Sequence, residues 1–104
     1  MRITADGRTL TYSADTGVSD ELVKLARDVD LFICEASYLE GGTNPPDVHL
    51  TGREAAEHAA RADVAKLVLT HLVPWGDEDR TLAEASAVYD GEIAVARTGA
   101  VLDI

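Results

Sequence analysis

Cysteine is nearly missing from this chain. Cys34 stands alone among 104 residues, so no internal disulfide can form, and a reducing compartment is the natural setting. Long apolar runs are missing as well: none approaches the roughly 18 residues of a membrane span. The opening "MRITADGRTL" lacks the charged-then-apolar layout of a secretory leader, so the expectation is a soluble cytoplasmic protein. Basic residues are scarce, with 9 Lys and Arg against 19 Asp and Glu and a formal net charge of −10. A phosphate backbone would meet a repulsive field, which argues against non-specific nucleic-acid binding. Recognition of a small anion would need a bound cation to invert the local sign. Linkers, repeats and low-complexity tracts are absent too. What remains is a chain with 46% hydrophobic residues in visible periodicity, the size of one domain that buries roughly two thirds of its unfolded surface.

Two short strands are expected first, Arg2 to Thr4 and Arg8 to Ser13, around the Asp6-Gly7 hairpin signal. Ser19 or Asp20 can cap a helix running to Val29, with Leu22, Leu25, Ala26 and Val29 at helical spacing. "DLFICEA" is too short for a helix and apolar throughout, the pattern of a strand buried on both faces. "LEGGTNPPDVH" is a loop, and Thr51 with Glu54 forms a capping box for an alanine-rich helix. "KLVLTH" reads as another buried strand, and Asp77 caps a third helix. "GEIAVA" and "AVLDI" close the chain as a hairpin. The order ββαβαβαββ predicts an α/β fold with one mixed sheet. Right-handed crossovers put the three helices on one face unless strand order reverses. The central strands are nevertheless apolar on both sides, so the second face needs a cover that this chain does not supply.

Polar groups suited to metal ligation or proton transfer close three successive strands: Asp15 after "TLTYSA", Glu35 after "LFIC" and His71 after "KLVLT". In α/β sheets the carboxyl ends of strands are where sites form. His49 joins them from the loop that leads into the second helix. Each has a plain alternative. Asp15 can be a turn residue bonded to nearby backbone, Glu35 a structural ion pair, His71 a satisfied core histidine and His49 a helix-entry residue. His58, among Arg53, Glu54, Glu57 and Arg61, reads as solvated surface, and Cys34 as inert core. Trp75 is a substrate-facing lip or an anchor for the next helix. The acids Asp77, Glu78 and Asp79 oppose a helix dipole and need no further role.

Taken together, "YSADTG", "DLFICEASYLEG", "VHLTGREAAEHA" and "KLVLTHLVPW" resemble the C-terminal half of a metallo-β-lactamase-fold hydrolase of the ribonuclease Z-like and phosphodiesterase branch. The resemblance implies a dinuclear site that holds two zinc ions, with manganese or another divalent metal as the alternative. Asp15 would correspond to the Asp that bridges two metal ions and His71 to a ligand of the second. Glu35 and His49 would correspond to the acid/base pair beside the scissile phosphate. Ala14 stands where the family's G-D-T-G motif has glycine.

The family's H-x-H-x-D-H motif is absent from the sequence, as is the further ligand His that lies between it and the Asp. Asp15 and His71 supply two ligands, where a catalytic zinc usually takes three from protein. This deficit and the uncovered sheet face lead to one expectation: residues 1–104 are half of an αββα sandwich, inactive alone, completed by a complementary N-terminal half or paired as a homodimer. The substrate expected of the complete enzyme is a small phosphodiester such as a cyclic nucleotide, since Leu72-Val73-Pro74-Trp75 replace the Ser and Arg groups that follow the ligand His in tRNA-processing members. The competing expectation is a non-catalytic truncated module that self-associates through its open sheet face.

Overall fold

The structure, a computed structural model, describes residues 1–37, 49–72 and 77–97. Along these residues run β1 (Arg2–Ala5), β2 (Arg8–Tyr12), α1 (Asp20–Ala26), β3 (Leu31–Glu35), α2 (Gly52–Ala62), β4 (Lys66–Thr70), α3 (Glu78–Ser86) and β5 (Glu92–Val95). The last expected strand, in "AVLDI", the greater part of the Pro-rich loop and Trp75 lie outside the described residues.

One mixed sheet holds the strands in the order β1-β2-β3-β4-β5. β1 and β2 pair antiparallel around a turn in which Asp6 and Gly7 both take positive φ, 52° and 75°. That is the backbone a two-residue hairpin loop needs to follow strand twist. β2, β3, β4 and β5 are parallel, each joined to the next through a helix.

Caps fall where the sequence places them. The Ser19 side chain accepts from Leu22 N–H, Asp77 accepts from Arg80 N–H, and Thr51 and Glu54 close a reciprocal capping box. α1 stops at Ala26 rather than Val29, because Arg27 leaves helical backbone (ψ 123°) and Asp28 turns left-handed (φ 60°). Arg2 Nη1 donates to the freed carbonyls of Leu25 and Arg27, 3.1 Å from each. Val29 is buried all the same, and Leu25 lies at the surface.

The core lies between one sheet face and the three helices. Phe32, Cys34, Leu67 and Leu69 meet Leu22, Val23 and Ala26 of α1, the alanines at 55, 56, 59 and 62 of α2, and Ala85 of α3. Alanine keeps α2 close to the sheet, and burial of this kind contributes roughly 25 cal/mol per Å² of apolar surface. Strand alternation turns Leu10, Leu31, Ile33 and Val68 to the opposite face. Leu31 and Val68 are buried outside that core, while Ile3 and Tyr12 on the same side are 47% and 37% exposed. The expected architecture holds: a mixed sheet, helices on one face, apolar residues on both.

Candidate active site

Just past β2, Ser13 N–H donates to Ile33 O at 3.0 Å, and Ser13 Oγ accepts from Glu35 N–H at 3.0 Å. The same hydroxyl donates to Ala14 O at 2.7 Å. These bonds tie the chain across to β3 and turn it sharply, with Ala14 at φ 53°. Asp15 therefore leaves the sheet edge on anchored backbone, with its side chain open to solvent.

Glu35 ends β3 and is fully buried. A carboxylate in that position must be compensated, and it is. Oε1 accepts from Thr16 N–H at 3.0 Å and Leu50 N–H at 3.2 Å, and lies 3.0 Å from His49 Nδ1. Oε2 accepts from Ser37 N–H at 3.2 Å and lies 3.1 Å from Ser37 Oγ. Because an ionised carboxylate only accepts, the proton between Glu35 and His49 belongs on Nδ1 of the ring. That orients His49 and leaves Nε2 as its basic nitrogen.

His71 follows β4 at once and holds left-handed backbone, φ 58°. Its Nδ1 is 3.0 Å from Asp15 Oδ1 and 3.1 Å from Ser37 Oγ, while Ser37 Oγ is 2.8 Å from the His71 carbonyl. Ser37 thus bridges Glu35 and His71. The His49 and His71 rings meet edge to face with centroids 5.1 Å apart. One potential ligand atom from each of Asp15, His49 and His71 falls within 4.8 Å of the others.

Four side chains expected to share one rim do so: Asp15, Glu35, His49 and His71. The rim is the carboxyl end of β2, β3 and β4. Their donor set, one exposed carboxylate oxygen and two imidazoles, suits zinc or a similar divalent ion. With His49 included, the described residues bring together three ligand-type groups where the ligand count from Asp15 and His71 alone is two. Ser37 and the amides of Thr16 and Leu50 carry no role on sequence grounds. The signal for Ser37 lay in "EAS", two residues past the glutamate it binds.

His58 is the correction. It is not solvated surface but 2% exposed. Its Nδ1 lies 2.7 Å from Glu54 O and its Nε2 accepts from Ser19 N–H at 3.0 Å. The charged neighbours that suggested a wet face project elsewhere: Arg53 pairs with Glu57, and Arg61 with Asp20. Cys34 is inert core as expected, its thiol pushed up to about 12 chiefly by burial.

A beta-lactamase superfamily domain model matches residues 1–72, and the chain belongs to that family. The crystal structure of the metallo-beta-lactamase fold protein YhfI from Bacillus subtilis superposes with a TM-score of 0.90 at 32% identity, over 97% of this chain and 42% of that one. In sequence the chain is 49% identical over 94 residues to uncharacterized protein Rv1339 of Mycobacterium tuberculosis, covering 89% of this chain and 34% of the relative. It is 42% identical over 96 residues to a ribonuclease Z of Thermobifida fusca, covering 88% and 30% respectively. The chain therefore spans about a third of the length of these two relatives. The fold is that of a metallo-β-lactamase, and the matched portion carries this rim.

Proposed function

We propose that this chain is the C-terminal part of a metal-dependent phosphodiesterase acting on a small phosphodiester such as a cyclic nucleotide, with Asp15 and His71 as metal ligands and Glu35–His49 as the acid/base pair. The observation that carries the reading is the convergence of Asp15, His49 and His71 within 4.8 Å, beside a buried carboxylate bonded to one of them. Divalent metal bound there would lower the pKa of a water, draw the phosphoryl oxygens together and offset the acidic surface. The protein's own contribution is position and proton supply. Glu35 keeps the His49 ring turned toward the cluster, so His49 can hand a proton to the departing alkoxide oxygen. Ser37 holds Glu35 and His71 at a fixed separation.

The same reading makes residues 1–104 a half-domain. The remaining ligands and the cover for the second sheet face come from a complementary N-terminal half. Its support is the short span relative to Rv1339 and YhfI and the partly exposed apolar residues Leu10 and Ile33 on that face. A second reading, a non-catalytic module that self-associates, is favoured by the exposure of Ile3 and Tyr12 on that face.

The test is zinc titration and 3′,5′-cyclic nucleotide hydrolysis by the protein with an N-terminal half supplied. Asp15→Ala and His71→Ala should weaken zinc binding and abolish turnover. Glu35→Gln and His49→Ala should keep at least one zinc while kcat falls by about 10²–10⁴. Undiminished zinc affinity in the Asp15 and His71 variants would overturn the assignment.

A further inference from the structure

α1 and α2 begin alike and are finished differently. In α2, the Thr51 side chain accepts from the N–H of Glu54, and the Glu54 side chain returns to accept from Thr51 N–H. In α1, Ser19 accepts from the N–H of Leu22 in the same way, but the returning position is occupied by Leu22 itself, a buried leucine with nothing to offer. The Ser19 N–H would lack an acceptor, as helix-entry donors do unless something supplies one. His58 Nε2 supplies it, 3.0 Å away, from the middle of the neighbouring helix. The chemistry assigns the tautomer. A backbone N–H can only donate and the Glu54 carbonyl can only accept, so the proton sits on Nδ1 and the ring is neutral.

What this bond holds is the far end of the Asp15 segment. Residues 15–19 leave β2 at the Ser13 anchor and are gripped again by Thr16 N–H on Glu35 and by Ser19 N–H on His58. α2 thus acts on the rim twice. The residues before its cap bring His49 and Leu50 N–H to Glu35, and His58 fixes the exit of the strand end that carries Asp15.

We propose that His58 is a positioning residue: it completes the α1 cap from α2 and so sets where Asp15 stands relative to His49 and His71. The link to metal rests on the reading of Asp15 as a ligand given above. The link to the segment rests on geometry alone.

Two variants separate positioning from mere packing. His58→Leu keeps an apolar body and removes the acceptor. His58→Gln can restore an oxygen near the place of Nε2. In amide hydrogen exchange on the protein, His58→Leu should speed Thr16 and Ser19 by about tenfold or more, with the β3 and β4 amides unchanged, and His58→Gln should recover much of that protection. Zinc affinity should fall by about 10–100-fold in the leucine variant and return with glutamine, as for residues that hold a ligand from behind. Loss of protection spread evenly over the sheet, unchanged exchange at residues 16 and 19, or a glutamine variant no better than leucine would overturn the proposal. If the parent protein bound no zinc, the ligand reading of Asp15 would fail, and the link from His58 to metal with it. The exchange pattern would still decide whether His58 holds the segment.

Discussion

Ala14 lies beside the candidate metal cluster and His71 within it, and both hold left-handed backbone, φ 53° and φ 58°. For any residue with a Cβ that conformation costs about 1–2 kcal/mol. At His71 the proposed ligand role requires the side chain, and strain of this kind gathers at functional sites. At Ala14 no such role applies. Ala14→Gly should therefore stabilise the protein by about 0.5–1 kcal/mol after the entropy cost of glycine, read as a higher urea midpoint at unchanged slope. A lower midpoint would mean that the methyl group packs usefully. Cys34 gives a second prediction. Burial raises its thiol from an ordinary 9.0 to about 12, so the folded state holds the proton where the unfolded state loses it. By linkage, this group subtracts stability as pH climbs from about 9 toward 12 and contributes no pH dependence below that window. A disulfide reagent at pH 8 should leave the native thiol untouched and label it only on unfolding. Rapid labelling of the folded protein would contradict the burial.

At the scale of elements, the start of α2 is tightly constrained. Gly52 opens the helix where α3 crosses, and a Cβ there would come within 2.6 Å of Thr81 Cγ2 and 2.9 Å of its carbonyl oxygen. Gly52→Ala should therefore destabilise by about 1–3 kcal/mol, since backbone cannot yield as a flexible side chain does. Because His49 and Leu50 lie immediately before this turn, the same variant should weaken zinc binding as well. Thr51→Ala removes the cap without forcing the helices apart and should cost about 1 kcal/mol. Thermal melting of the two variants ranks the effects, and a harmless Gly52→Ala would mean that α3 moves away freely. The hairpin, the capping box and the central strands were legible because each rests on neighbours in sequence: Asp6-Gly7, Thr51 with Glu54, the run Leu31 to Cys34. The end of α1 was not. Val29 has the apolar character of a helical position yet reaches the core from a turn, since Arg27 and Asp28 break the helix before it.

For the whole molecule, the prediction concerns the second sheet face. Ile3 and Tyr12 sit on it, partly exposed, beside the half-buried Leu10 and Ile33, while Leu31 and Val68 of the same face are buried. An apolar surface of that kind favours a partner. Residues 1–104 in isolation should form dimers or larger assemblies by light scattering, and addition of a complementary N-terminal half should dissolve them into a defined complex. Ile3→Lys with Tyr12→Lys should shift the isolated chain toward monomer. A monomer at every concentration tested would mean the face needs no cover.

The sequence alone determined the alternation of strands and helices, the caps, the hairpin turn and the placing of Asp15, Glu35 and His71 at strand ends, because each follows from backbone chemistry within a few residues. Tertiary structure decided the rest. It brought His49 onto Glu35, put His71 against Ser37 and Asp15, and buried His58 against the Ser19 amide, contacts between residues whose separation along the chain carries no local signal. A histidine among four charged neighbours looks wet in sequence. Only the packing of α1 against α2 shows that one backbone N–H needed it.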